Sequence, residues 1–500
     1  LGCRVAVFER AAAAGGSVRS FAEAGFLWEA GPGFLAAPSP AVTRLVRELG
    51  LARRRVRPKN GEGVHVVRGD RVVRVPTSLP GLALSPLLSA RAKAALLLEP
   101  VLWRRSRKAP RLELIEDAVG PGPEGEDEEP RFRATAAEET VREFCRRHCP
   151  AEAVDFLVDP LLSGPYGVSL DDLSARHALP APWALDRRFG SVAAGRLAAG
   201  LVPPQLAARA LGPEEPPRSQ RTGVSAAERM AAGAGRPAGV RRALNVGAFS
   251  FQGGMQALTD ALLRKVGPAN VRLGCAVEAL EFLDRPDAAD WKVTYRTGAG
   301  RRRAEEFDKV LSTAPLHSFK EGIQVVRGGQ ALPAAALPAA SYSPLSVVAV
   351  GFKNEAIGRK LQGTHILVPQ GNANMRSNCV LFSSDAFKGR APGGSTLFTL
   401  YFGGTRPPFR AQWPRAELLS AALQDLQFLL QVEGPPTFAR HVFWKRAVPI
   451  YTPDYGDEVL RRLAELEATM RGLHFAGNHV GGLDVGSAVT DAYTLAGRLA

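Results

Sequence analysis

Two stretches, one near each end of the chain, carry residue types at spacings that do chemistry. Near the start, the apolar run Arg4-Val5-Ala6-Val7-Phe8 ends in Glu9. A short β-branched run of this kind reads as a buried parallel strand. A carboxylate at the end of such a strand accepts hydrogen bonds from the ribose hydroxyls of a bound adenosine. Leu1-Gly2 just before it reads as a helix C-terminus closed by glycine. The stretch is therefore the second half of a dinucleotide-binding βαβ unit, and its first strand and glycine-rich phosphate loop are expected upstream of Leu1. Gly15 and Gly16 follow, with Arg19 three residues on. A glycine pair lets the backbone approach a pyrophosphate, and Arg19 supplies positive charge. Near the end, Leu473 to Asn478 reads as a strand entering a turn crowded by Gly477, Gly481, Gly482 and Gly486, before a helix from about Ala488 to Leu499. Free N–H groups at such a helix start suit an anion or a carbonyl oxygen.

The elements between must bring these two ends together. Ala41 to Leu49 has helical spacing and ends at Gly50, and Val64 to Val75 reads as a hairpin turning at Gly69-Asp70. Leu79 to Trp103 is rich in Leu, Ala and Pro, either a core helix pair or an amphipathic surface lying on a membrane. Glu139 to Cys149 and Ala151 to Leu162 read as helices, while Pro121 to Pro130 and Pro203 to Arg242 read as a solvated loop and a low-complexity insertion. Beyond Asn245 the pattern turns to a helix (257–266) and then strands (271–273, 277–282, 291–295, 309–315, 346–352, 396–402), with another helix over 415–432. The expected fold is α/β. A discontinuous nucleotide-binding domain (1–49, 244–318 and 440–500) joins a mixed α+β substrate domain (50–78 and 319–439), a helical membrane-associating region (79–202) and the insertion 203–243.

The totals narrow the function classes. Hydrophobic content of 45% and charged content of 23% over 500 residues are ordinary for a globular chain. The net charge of +15 comes mostly from scattered Arg, with no basic-aromatic alternation, so nucleic acid is not an expected partner. Five scattered cysteines argue against a disulfide framework. Cys145 and Cys149 share a helix face but have no second ligand pair, so no metal is expected. No run of roughly 20 residues is apolar enough to span a bilayer.

The strand–Glu–GGxxxRS pattern resembles FAD-binding amine-oxidase-type flavoproteins. With GFLWEAGP at 25–32, LLEPVLW at 97–103, FLVDPLLSG at 156–164, RRFGSV at 187–192, FSFQGGMQ at 249–256 and AGNHVGGLDVG at 476–486, the chain resembles the protoporphyrinogen oxidase family, the FAD enzymes of haem and chlorophyll synthesis. LLEPxLW and RFGSV are closer to the mitochondrial-type plant and algal members than to the plastid type. The resemblance implies a discontinuous Rossmann-like FAD-binding domain and six-electron oxidation of protoporphyrinogen IX to protoporphyrin IX, in three rounds, with molecular oxygen as acceptor. It implies no side-chain base, because the flavin takes a hydride directly. Carried over by position, it places the ribose contact on Glu9 with Arg10 beside it, the pyrophosphate contacts on Gly15 and Gly16, and an adenine contact on Val277. The flavin loop falls on Gly31, Pro32, Gly33 and Phe34, a tryptophan near the flavin on Trp444, and further flavin contacts on Gly477, Asn478, Leu483, Asp484 and Val485. An apolar clamp on the macrocycle falls on Leu345, Leu361 and Phe382. A peripheral seat on the mitochondrial inner membrane, or alternatively a plastid membrane, follows, with Leu82, Leu84, Leu87 and Leu88 facing lipid and a homodimer left open.

Three departures stand out. The phosphate loop does not appear after Leu1, so a chain starting there is expected to be flavin-free and inactive. The position of the propionate-anchoring arginine is Val64, leaving His65, Arg68 or Lys59 to substitute. The GGDP segment is Gly167-Val168-Ser169-Leu170, and Gly33-Phe34 replaces Asn-Ser. Another amine-oxidase-type activity, desaturase or polyamine oxidase, or a porphyrin-binding protein without FAD, are the competing readings.

Overall fold

Strand pairing joins stretches that are far apart in the chain. In the computed structural model, which describes residues 3–35, 39–59, 63–99, 139–193, 247–285 and 289–499, Val7–Glu9 pairs in parallel with Val271–Leu273. Val310–Ser312 pairs in parallel with Leu473–Phe475. Both pairs pack into one core, where Phe8 and Val310 meet Trp291, Leu473 and Phe475. A five-stranded sheet in the order Arg302–Phe307, Trp291–Arg296, Ala276–Phe282, Gln324–Arg327, Gln330–Ala331 extends this unit. The final helix, Val485–Leu499, lies against the helix Pro40–Glu48, tied by Ser39 Oγ to Thr490 Oγ1 at 3.0 Å and by the Tyr493 hydroxyl to Glu48 at 2.6 Å.

The second unit is a seven-stranded sheet in the order Phe438–Pro449, Tyr342–Lys353, Ser395–Gly403, Cys379–Leu381, His365–Leu367, Val64–Arg68, Arg71–Arg74. Strand residues alternate between faces, and here the two faces do different things. Val348, Val350, Phe352, Phe398 and Leu400 bury against the helix Arg415–Leu430. Ala349 and Leu397 turn the other way and pack on Phe26, Trp28 and Ala30 of the first unit. The expected domain boundary at residue 440 falls inside the strand Phe438–Pro449, whose ladder with Tyr342–Lys353 runs on to Pro449, so 440–449 belongs to this sheet.

The helical stretches (Val141–His148, Ala151–Ala153, Asp159–Ser163, Ala175–Ala178 and Pro180–Phe189) are anchored by buried ion pairs. Arg406 pairs with Asp159 at 2.6 Å, both nearly inaccessible. His148 Nδ1 lies 2.7 Å from Glu99 and its Nε2 3.3 Å from Asp186, while Ser191 Oγ donates to Glu99 at 2.6 Å. Burial would raise the Asp186 carboxyl, but hydrogen bonds from His148 and Arg147 outweigh it and hold it at about 2. The expected solvated loop 121–130, the rest of LLEPVLW beyond Glu99, and the insertion 203–243 lie outside the described residues.

The lipid-facing leucine surface needs correction. The helices Leu79–Leu84 and Ala90–Leu97 do form, but the turn between them points inward. Leu87 and Leu88 are buried against Val64, Val66 and Leu367, and Leu82 packs on the same cluster. Leu84, Leu97 and Leu98 are the residues left outside, at 88%, 73% and 50% exposure. We expect Leu87→Ala to lower unfolding free energy by about 2–5 kcal/mol, and Leu84→Ala to stay within about 0.5 kcal/mol of wild type, both read by urea denaturation.

Candidate functional site

The strand Phe26–Glu29 delivers Glu29 into the interior, 5% exposed. A buried carboxylate must be paired and hydrogen-bonded to be tolerated. Glu29 receives the Arg390 guanidinium, the backbone N–H of Met255 at 3.0 Å and the Ser20 hydroxyl at 2.5 Å. Ser20 Oγ in turn accepts the N–H of Gln256 at 2.9 Å, and Arg390 reaches Ser250 Oγ at 2.6 Å. Three separate segments therefore meet at one carboxylate: the hairpin that carries it, residues 250–256 and Arg390. A Cβ at Gly254, where φ is +91°, would lie 3.0 Å from Glu29 Oε1 and run into Ser20 Oγ, so the glycine is what lets the backbone close over the pair.

This junction fixes the loop that follows. Trp444 Nε1 donates to the Ala30 carbonyl at 2.6 Å, and Trp444 sits opposite Leu345 across the ladder. A Cβ at Gly31 would run into the Ser17 carbonyl, which brings the Gly31–Phe34 loop against the Gly15–Arg19 turn. Val18 closes that turn by donating to Gly15 O at 2.9 Å. Arg19 Nε is buried with no hydrogen-bond partner. A buried donor on a bare glycine turn fits an anionic group such as a pyrophosphate.

The other expected cofactor residues fall around the same unit. Glu9 accepts the N–H of Ala11 at 2.7 Å through its side chain and that of Cys275 at 2.8 Å through its backbone, which sets it beside Val277 and the Phe8–Tyr295 pair. Arg10 is exposed, and its charge reaches His317. The Gly477 carbonyl accepts the N–H groups of Val480 and Gly481, and the Asn478 carbonyl accepts the Tyr451 hydroxyl at 2.5 Å. Asp484 caps the final helix, its carboxylate accepting the Ser487 N–H at 3.0 Å and the Ser487 hydroxyl at 2.7 Å. Leu483 and Val485 pack on the two cores that flank this turn. Pro32 and Gly33 continue the loop expected at the flavin, with Gly33 against Leu381.

The expected clamp does not assemble. Leu345 lies on the face that carries Ala349, toward Trp444 and Ala30. Phe382 is 1% exposed on the opposite face, edge-on to Phe398 at 6.0 Å, and Leu361 packs on that same core. Alternation along Cys379–Leu381 is the reason, since Leu381 faces the loop and Phe382 must then face away. The aromatic that does reach the loop is Phe387, 5.7 Å from Phe34, with His365 also near Phe34 at 6.4 Å. Sequence reasoning missed Phe387, although its spacing of five from Phe382 across the short helix Ser383–Ala386 was the available signal. Gly167 and Gly404 close the far end of this face, where Thr405 N–H bonds Gly167 O at 2.8 Å.

Of the three substitutes for the anchoring arginine, two are spent. Arg68 holds Pro86 O at 2.8 Å and Glu152 at 2.5 Å. Burial, then the charge of Arg74, lowers His65 to about 4, so it is neutral near pH 7. Lys59 is exposed, and its backbone N–H bonds Ala386 O at 3.0 Å, next to Phe387. Val64 itself is core.

We expect Glu29→Gln to strip Arg390 of its counter-charge and destabilise the protein by about 3–5 kcal/mol. Glu29→Gln with Arg390→Met should recover much of that loss. Thermal unfolding of the two variants checks it, and equal losses would mean the pair is not the tie.

The chain matches the model of the flavin-containing amine oxidoreductases over residues 1–500. It is 32% identical to the mitochondrial protoporphyrinogen oxidase of Nicotiana tabacum over 494 residues, covering 98% of this chain and 88% of that protein. It is 31% identical to protoporphyrinogen oxidase 2, chloroplastic/mitochondrial, of Arabidopsis thaliana, covering 98% and 87%. The fold matches the crystal structure of an Exiguobacterium sp. 255-15 protein, given provisionally as a protoporphyrinogen oxidase, with a TM-score of 0.67 at 18% identity over 99% of this chain and 92% of that one. The chain belongs to the flavin-containing amine oxidoreductase family and, within it, to the protoporphyrinogen oxidases.

Proposed function

We propose that this chain uses FAD to oxidise protoporphyrinogen IX to protoporphyrin IX in tetrapyrrole synthesis, with molecular oxygen as acceptor. The observation that carries this reading is the face of the seven-stranded sheet bearing Leu345, Leu381 and His365, set against the Gly31–Phe34 loop and Phe387. Bound FAD would supply the two-electron acceptor for the macrocycle C–H bonds. The chain's own work is to hold a flat apolar ring. Phe34 is the half-exposed aromatic of the loop, the buried Phe387, Leu345 and Leu381 back it, and Trp444 locks the loop through Ala30. Glu9, Gly15, Gly16 and Arg19 hold the nucleotide half, with Gly477 to Val485 at the flavin end. Burial lowers His365 to about 3, so the wall adds no charge that would repel or trap the ring.

The substrate carries two propionates, and a carboxylate beside an apolar wall needs a cation. Lys59 is the remaining candidate of the three, adjacent to Phe387. A peripheral membrane seat, on the mitochondrial inner membrane or alternatively a plastid membrane, is part of this reading. It is supported by the exposed Leu84, Leu97 and Leu98, and no helix among the described residues is long and apolar enough to cross a bilayer.

Flavin-loaded protein given protoporphyrinogen IX in air should form fluorescent porphyrin with three hydrogen peroxide per porphyrin and leave simple amines untouched. Amine oxidation without porphyrin would overturn the reading. Lys59→Ala should raise KM about tenfold, the weight of one charge-assisted hydrogen bond, with kcat little changed. The difference should vanish on the substrate's dimethyl ester, and an equal effect on the ester would remove Lys59 from the anchor role.

A further inference from the structure

On the outer side of the hairpin, the strand Arg71–Arg74 and the helix Leu79–Leu84 flank an open cleft of about 650 Å3, lined among others by Arg71, Val73, Arg74, Gly81, Leu84 and Arg359. Three guanidiniums converge there from two separate parts of the chain. None of the three side chains has a hydrogen bond or ion pair among the described residues. The one acidic side chain on the lining, Asp70, accepts the Asn374 amide at 3.0 Å. The positive charge is felt below the cleft, where Arg74 and Arg359 add to burial in lowering His65. At the lip stands Leu84, 88% exposed, a large apolar side chain beside a cluster of unneutralised arginines.

A solvated basic face would account for the arginines but not for the leucine. An enclosed site for a soluble anion would bury its donors, and these three arginines are exposed. A guanidinium binds phosphate oxygens in a two-pronged geometry, and an apolar side chain beside cationic ones suits the boundary between headgroups and acyl chains.

We propose that this cleft is a headgroup site for an anionic phospholipid, with Arg71, Arg74 and Arg359 on the lipid phosphate and Leu84 in the acyl boundary. The site rests on the membrane-side reading above and gives it a lipid preference. Each cation near an anionic surface contributes roughly fivefold in binding, so the three together contribute about 100-fold.

The test is co-sedimentation of the flavin-loaded protein with vesicles of phosphatidylcholine alone, or of phosphatidylcholine with one third phosphatidylglycerol. Wild type should prefer the anionic vesicles. The triple variant Arg71→Gln, Arg74→Gln, Arg359→Gln should lose about 100-fold on them and little on neutral ones. Leu84→Ser should weaken binding to both, and matching unfolding midpoints show that the variants are folded. Equal binding of wild type and the triple variant to anionic vesicles overturns the proposal. Displacement of wild type by excess glycerol 3-phosphate, with no preference for vesicle charge, overturns it in favour of a soluble phosphate site. Equal binding to both vesicle types that Leu84→Ser abolishes would remove the headgroup site and leave the membrane-side reading standing. Porphyrin formation in detergent micelles, measured alongside, reads the enzymatic proposal independently of either result.

Discussion

The Glu29 carboxylate is the constraint from which most of the arrangement follows. Leaving such a charge buried and unpaired costs several kcal/mol, so the fold must bring it a counter-charge and further donors. It does so from Ser20, from Met255 in the FSFQGGMQ stretch, and from Arg390 in the connection between the sheet strands Cys379–Leu381 and Ser395–Gly403. The first unit and the sheet unit are thereby tied together at this carboxylate. The Gly31–Phe34 loop leaves that point in a set direction, pinned one residue later by Trp444.

With the loop fixed, the period of two along the strands decides which residues meet it. Ala349, Leu381 and His365 share a row of the ladder and face the loop side. Their neighbours Val348, Val380 and Phe382 face the helix Arg415–Leu430 and form ordinary core. Both faces of the sheet are buried, one against that helix and the other against Phe26, Trp28, Leu87 and Leu88. A slip of one residue in Cys379–Leu381 would exchange them.

Much of this was legible in the sequence, but often for a different reason than the chemistry suggested. GFLWEAGP, FSFQGGMQ, FLVDPLLSG, LLEPVLW and RRFGSV marked the family correctly. In the structure their polar residues are mainly buried ties: Glu29 with Met255 and Arg390, Ser250 with the same Arg390, Asp159 with Arg406, and Glu99 with Ser191 and His148. The strand ending in Glu9 and the glycine turn after Phe475 were readable from local pattern, although the first is shorter than expected, Val7–Glu9, and not buried, with Val5 55% and Val7 38% exposed. Phe382 was misplaced because a three-residue strand is too short for its face to be read from alternation alone. Leu87 and Leu88 were misread because an apolar run on a short helix pair has the same composition whether it faces lipid or a sheet. The loss of Arg68 as an anchor depends on Glu152, 84 residues away, and that of His65 on its burial, to which Arg74 across the hairpin adds; neither the distant partner nor the burial shows in a local pattern.

The central claim is that the macrocycle lies on the loop-facing side of the sheet. It is tested most directly by the concentration dependence of anaerobic flavin bleaching by protoporphyrinogen IX in Phe387→Ala and Leu361→Ala protein. The account predicts that Phe387→Ala raises the half-saturating substrate concentration several-fold while Leu361→Ala leaves it at the wild-type value. Weakened saturation in Leu361→Ala, with Phe387→Ala behaving as wild type, would place the substrate on the opposite face and contradict the account.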